Sequence, residues 1–183
     1  CGSHIDAPAE MRAMSDLKIV QCTHERHAAA ILEIFNDAIV NSTALYDYQP
    51  RTAQNMVAWF DAKRAGNWPV IGIEDAQGQL LGFCSYGSFR AYPAYKYTVE
   101  HSVYVHPSHR GRGLGRQLMD LLIAEAKRRG DVHALIGAID AANEGSIALH
   151  KRLGFAHVGQ MPQVGVRFGR WLGLAFCWLS LEA

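Results

Sequence analysis

The chain has 183 residues, enough for one domain with a sizeable core. Its 18 Lys and Arg against 17 Asp and Glu leave a net charge of +1, a balance that argues against general nucleic-acid binding. The longest apolar run, Trp171 to Leu179, is too short to span a bilayer and reads as a buried strand, so no membrane partner is expected.

In chain order, Leu17–Gln21 reads as a first strand. Thr23 is placed to cap a helix that carries Ile31, Ile34, Phe35, Ala38 and Ile39 on one face. Asn41–Pro50 is a polar and aromatic loop holding Tyr46 and Tyr48. Thr52 caps a second helix through Met56, Trp59 and Phe60, which Gly66 stops. Val70–Glu74 and Leu80–Phe89 form a hairpin around Asp75-Ala-Gln-Gly78. The loop Arg90–Tyr95 leads into a long strand, Lys96–His106. A glycine-rich turn follows, then a helix from Leu114 to Gly130 with Leu118, Leu121 and Leu122 at helical spacing. Ala134–Ile139 is a strand, Asn143–Leu153 a short helix closed by Gly154, and Phe155–Met161 and Trp171–Leu181 the last strands. The order β-α-α-β-β-β-α-β-α-β-β predicts an α/β fold with one mixed central sheet flanked by helices.

The ends and the cysteines complete the outline. Cys1-Gly-Ser-His-Ile5 looks like a cloning remnant, so residues 1–13 are expected to be tag and 14–183 a single domain starting at Met14. Cys1, Cys22, Cys84 and Cys177 show no metal spacing, and free thiols in a reducing cytoplasm are expected. No His pair has metal-ligand spacing either, and no metal is expected.

The most informative segment is Val103-Tyr-Val-His-Pro-Ser-His-Arg-Gly-Arg-Gly-Leu-Gly115. A strand ends, a basic glycine turn follows, and a helix begins at Leu114. Gly111, Gly113 and Gly115 let backbone N–H groups approach a ligand closely, and the helix N-terminus adds positive potential. Arg110, Arg112 and Arg116 add charge. A phosphate-bearing ligand is implied, although a surface hairpin tip would have the same composition. The turn lacks the Gly-Lys-Ser/Thr end of a P-loop, and its glycines alternate rather than follow Gly-x-Gly-x-x-Gly.

What is present, Arg-x-x-Gly-x-Gly from Arg110 to Gly115, resembles the coenzyme A pyrophosphate loop of the GNAT N-acetyltransferases. The element order is that of the GNAT fold, and the resemblance spans nearly the whole chain. It sharpens at Thr98-Val-Glu-His-Ser-Val-Tyr-Val105, at Asn143 with Ser146, at Leu149-His-Lys-Arg-Leu-Gly-Phe155, and at Gln160-Met-Pro-Gln-Val-Gly165 followed by Phe168-Gly-Arg-Trp171. These look like the branch that acetylates phosphinothricin and methionine sulfoximine or sulfone. The resemblance implies acetyl-CoA as co-substrate, a small amino-acid acceptor and a homodimer. An acetyltransferase for another amine or a protein N-terminus, and a non-catalytic CoA-binding module, are the competing readings.

The resemblance also assigns roles. The coenzyme would lie on Val103, Tyr104, Val105, the turn Arg110–Arg116 and Asn143 with Ser146, with a backbone N–H near Val105 facing the reacting carbonyl. Asn143 and Ser146 are equally good helix-capping residues. Alternation puts Thr98, Glu100, Ser102 and Tyr104 on one face of their strand and His101 on the other. Glu100, the one carboxylate there, is the general base by resemblance; the residues alone equally allow a cross-strand ion-pair partner. His150 stands where many superfamily members carry a Tyr, and it either donates a proton to the leaving sulfur or packs beside the cofactor. Arg90, in an aromatic-lined mouth with Tyr92 and Tyr95, would pair with the acceptor carboxylate. Ala91, Tyr92, Glu100, His101 and Ser102 complete the expected acceptor site, with Tyr46 and Trp171 as further walls.

Overall fold

A computed structural model describes residues 16–181; the expected tag remnant lies outside them. Seven strands form one sheet: β1 Lys18–Gln21, β2 Val70–Glu74, β3 Leu80–Ser88, β4 Thr98–Val105, β5 Ala134–Asp140, β6 Ala156–Arg167 and β7 Arg170–Ser180. Their spatial order is β1-β2-β3-β4-β5-β7-β6. Only the β4–β5 pairing is parallel.

Four helices cover the two faces: α1 His24–Asn41, α2 Ala53–Ala65, α3 Leu114–Arg129 and α4 Glu144–Arg152. On one face α1 and α2 bury Ile31, Ile34, Phe35, Met56 and Phe60 against Phe83 of β3. On the other, Leu114, Leu118, Met119 and Leu122 of α3 pack with Cys84, Tyr86, Val99 and Phe155. The alternation of β3 divides these partners between the faces, Phe83 to one and Cys84 to the other.

The helix ends follow local chemistry. Thr23 Oγ1 accepts from Arg26 N, and Thr52 with Asn55 makes a reciprocal capping box. Gly66 stops α2 for a different reason than expected. Its φ is −80°, an ordinary helical value, and the left-handed residue is Asn67 at φ 52°. A Cβ on Gly66 would meet the Trp68 ring at 2.5 Å, so the packing of Trp68 demands the glycine. The start of α1 is tied to β2 by a buried pair. Thr23 N donates to His27 Nδ1 at 2.9 Å, which leaves Nε2–H to donate to Glu74, also at 2.9 Å.

Two strands depart from expectation. β6 runs on to Arg167 instead of ending near Met161. Pro162 signals a stop in sequence, but β6 is an edge strand, where a missing N–H is tolerated. A register shift between Met161 and Gly165, with Gln163 at φ 53°, absorbs the irregularity. β7 is not uniformly buried: Trp171, at its start, is 64% exposed. Among the described residues no helix is long and apolar enough to cross a membrane.

Candidate active site

The site begins where the sheet divides. β4 pairs with β3 along its whole length, Val99–Val105 against Ser88–Gly82. With β5 it pairs only at Thr98, Glu100 and the Val99 between them, opposite Ala134–Ile136. Beyond Glu100 the two strands part, and Gly137–Asp140 pairs only with β7. A cavity of about 330 Å³ fills the opening. Glu100, Ser102 and Tyr104 line it from β4, Gly137 and Asp140 from β5, and Thr43–Tyr46 from the loop after α1.

The glycine turn stands at the far end of β4. Pro107–His109 forms a short 3-10 turn, and Gly111 and Gly113 both sit at φ 77°, where a side chain would be strained. Nothing lies within 4 Å of where their Cβ atoms would be. Gly113 is the N-cap of α3 and provides no side chain to satisfy the first N–H groups of the helix. The result is an open, positive helix terminus shaped for an anion. The arginines of the turn have local partners: Arg110 pairs with Asp37 at 2.9 Å, Arg112 donates to His109 Nδ1 at 3.1 Å, and Arg116 lies 3.7 Å from Asp120.

Glu100 opens to solvent at the cavity. Partial burial by the surrounding walls raises its pKa, and the Arg90 guanidinium pulls it down less strongly. A carboxylate tuned this way is a better base than an ordinary surface Glu. Its neighbour His101 points to the opposite face and is buried against His150. The two rings stack at 5.1 Å, with 3.2 Å between their Nε2 atoms. His150 Nδ1 lies 2.7 Å from the Ser146 carbonyl, which only accepts, so Nδ1 carries the proton. Burial lowers the pKa of both, that of His101 to about 3 with help from His150, so both are neutral near pH 7. His101 Nε2–H then donates to the bare Nε2 of His150. Gly137 leaves room for the pair, since a Cβ there would approach His101 Nε2 to 2.9 Å.

The structure gathers Glu100, His101, Ser102, Val103, Tyr104, Ser146 and His150 around one cavity. Val105 ends the strand beside Gly115, whose Cβ position is 3.9 Å from Val105 Cγ2. Asn143 caps α4, its Oδ1 accepting from Ser146 N at 3.0 Å. Arg90, Ala91 and Tyr92 stand on an exposed loop outside the cavity wall, with Arg90 over the Phe89 ring at 5.0 Å and Tyr92 72% exposed. Tyr46 does line the cavity and Trp171 does not. Sequence reasoning missed Thr43–Leu45, Gly137, Ala138, Ile139, Asp140 and Leu174 as walls. The signal for Asp140 was an acidic residue closing a strand before Ala-Ala-Asn143; its buried carboxylate accepts from Ala142 N.

Comparison with known proteins agrees with this geometry. The profile of the acetyltransferase (GNAT) family matches residues 29–155. An L-methionine sulfoximine/L-methionine sulfone acetyltransferase of Pseudomonas paraeruginosa is 48% identical over 152 residues, 83% of this chain and 88% of that protein. Among solved structures, an N-acetyltransferase from Staphylococcus aureus Mu50 superposes with a TM-score of 0.87 at 46% identity, covering 91% of this chain and 99% of the other. A GNAT superfamily phosphinothricin acetyltransferase from Sinorhizobium meliloti, in complex with AcCoA, gives a TM-score of 0.86 at 30% identity, covering 91% and 89%. A forked sheet with an anion-shaped turn at one end and a matching family profile lead to one conclusion: the chain belongs to the GNAT acetyltransferase family.

Proposed function

We propose that the chain transfers the acetyl group of acetyl-CoA to the α-amino group of a small methionine- or glutamate-like amino acid. Methionine sulfoximine, methionine sulfone and phosphinothricin are the first candidates, because relatives that acetylate them match most of the chain. The observation that carries the reading is the cavity at the β4–β5 fork with Glu100 at its rim. Acetyl-CoA supplies the activated acetyl group, and the open turn Gly111–Arg116 fits its pyrophosphate. The β4 edge beyond Glu100, free of β5, presents backbone near Val105 to the reacting carbonyl. Glu100 takes the proton of the acceptor ammonium, directly or through one water, and so frees the amine for attack; the amide C–N bond forms as the thioester C–S bond breaks, and the second proton of the nitrogen passes to the departing thiolate, through water.

His150 has a narrower role in this reading. Its one proton is committed to the Ser146 carbonyl and its Nε2 accepts from His101, so it forms the wall beside the reacting thioester and protonates nothing. Asn143 and Ser146 orient α4 below the coenzyme arm through their cap hydrogen bond. We place the protein in the cytoplasm, as a reading supported by the buried free thiols Cys22, Cys84 and Cys177. We also propose residues 14–183 as one domain that pairs into a homodimer. The exposed apolar side chains of the β6–β7 hairpin, among them Phe168 and Trp171, support the pairing.

Arg90 is proposed to bind the acceptor carboxylate as the loop meets substrate. Its removal has a second, separable consequence. Arg90 lowers the pKa of Glu100, so Arg90→Ala moves the acid limb of kcat/KM to higher pH. Losing the carboxylate contact raises the acceptor KM by about one to two decades. Amino-acid amides that react as well as the free acids would remove Arg90 from this role.

The test of the whole reading is an acetylation screen with methionine sulfoximine, methionine sulfone, phosphinothricin, polyamines and a basic peptide. The amino acids are expected to lead it. A peptide or polyamine turned over faster than every amino acid would reject the substrate class.

A further inference from the structure

Loop 42–52, which walls the cavity through Thr43–Tyr46, has a fastening that the reaction chemistry does not call for. Arg167, at the tip of the β6–β7 hairpin, is only 5% exposed. Its guanidinium donates to two backbone carbonyls, that of Ile39 in the last turn of α1 and that of Asp47 inside the loop. It lies 5.8 Å from the Tyr48 ring and 4.7 Å from the Phe168 ring. Its Nε has no partner, and no carboxylate pairs with it among the described residues. Asp47, whose carbonyl it meets, gives its carboxylate to Arg51 at 2.9 Å.

A buried guanidinium is retained against a desolvation cost only where its hydrogen bonds repay it. Here the carbonyl of Ile39 is one of the orphan acceptors at a helix C-terminus, where a cation is favoured. The bonds join three elements that are far apart in sequence: α1, the loop and the hairpin. Two further contacts follow the same seam. Tyr48 Oη donates to the Val166 carbonyl at 3.0 Å, and Tyr46 Oη donates to the Gly173 carbonyl at 3.3 Å. Gly165 leaves the space that the Tyr46 ring fills, because a Cβ there would be 2.8 Å from Tyr46 Cε2.

We propose that Arg167 is a positioning residue for acceptor binding: it fastens loop 42–52 to the β6–β7 hairpin and so holds Thr43–Tyr46 in the wall against which the amino acid lies. The inference rests on the reading of the cavity as the acceptor site. The coenzyme turn at residues 110–116 takes no part in the fastening. Arg167 bonds to none of its residues, so the effect is expected on the acceptor and not on pyrophosphate binding, and Gly165 leaves the space that the Tyr46 ring occupies.

The test compares Arg167→Met and Arg167→Lys with the wild type, together with Gly165→Ala. KM is measured for methionine sulfone and for acetyl-CoA, and amide hydrogen exchange is followed over residues 42–52. Arg167→Met is expected to raise the methionine sulfone KM about tenfold or more, the loss of charge-assisted hydrogen bonds, while the acetyl-CoA KM stays within about twofold. Exchange in 42–52 quickens. Arg167→Lys keeps one cation and recovers part of the loss. Gly165→Ala, with Arg167 intact, raises the same KM by displacing Tyr46. An active Arg167→Met protein with an unmoved methionine sulfone KM overturns the proposal, as do equal losses for both substrates. If Arg167→Met does not fold, the split is read in Arg167→Lys and Gly165→Ala: an acceptor-only rise supports the proposal, and none overturns it. A wild type that acetylates no amino acid overturns the acceptor reading itself and this proposal with it.

Discussion

Glu100→Gln is expected to lower kcat/KM for the amino-acid acceptor by about 10²–10⁴-fold at pH 7, the range for losing a general base. The amide keeps the shape of the side chain and removes its basicity. Acetyl-CoA binding survives, because the turn 110–116 stands at the other end of β4. The pH profile loses the acid limb that Glu100 supplies. Stability moves in the opposite sense to activity. Burial holds the Glu100 pKa in the folded chain above its ordinary value of 4.5. Its contribution to stability is therefore full below that value and is lost as pH rises through the folded pKa. The Gln variant mimics the protonated carboxyl, so its Tm at pH 7–8 is no lower than that of the wild type. A drop in activity accompanied by a drop in Tm would instead mark Glu100 as a structural partner. A variant with most of its kcat/KM intact would leave solvent as the proton acceptor.

Gly113→Glu is expected to weaken coenzyme binding sharply while the chain stays folded. Gly113 sits at φ 77° with open space where a side chain would go, so the fold itself does not need the space. A non-glycine residue there carries about 1–2 kcal/mol of strain, and a displaced charge-assisted hydrogen bond is worth about 1.5–3 kcal/mol. The strain is borne by the folded chain with or without ligand, so the lost hydrogen bond alone sets the expected fall in CoA affinity by calorimetry, about one to two decades. Gly113→Ala separates the causes, since it carries the strain without the carboxylate. Unchanged affinity in a folded Gly113→Glu protein would remove the turn from the coenzyme site.

What the sequence disclosed depended on range. Thr23, Thr52 and Asn143 were readable as caps because a cap is decided within three residues. The apolar stripe of α1 and the glycine turn before α3 are equally local. The strand alternation that separates Glu100 from His101 is visible in sequence too, but the partner of His101 is 49 residues away. The proton on His150 Nδ1 follows only from the Ser146 carbonyl beside it. The length of β6 was hidden because Pro162 stops an inner strand and not an edge strand. The wall Thr43–Leu45 was hidden for a stronger reason: its place depends on Arg167 and Tyr46 bonding across more than a hundred residues, with |i−j| of 120 and 127. Arg90 shows the converse. Aromatic residues close to it in sequence suggest an enclosed mouth, yet the loop is exposed and Arg90 lies over the Phe89 ring outside the cavity wall.

Acetyl transfer to the amino acid is tested most directly by following both products of one reaction. Methionine sulfone and acetyl-CoA carrying an isotopic label in the acetyl carbonyl are incubated with the protein, and thiol release is read alongside mass spectrometry of the amino acid. One labelled acetyl group is expected on the α-amino nitrogen for each thiol released, at a rate that depends on Glu100. Thiol release without labelled amide, or coenzyme binding with no turnover of any amino acid, would contradict it.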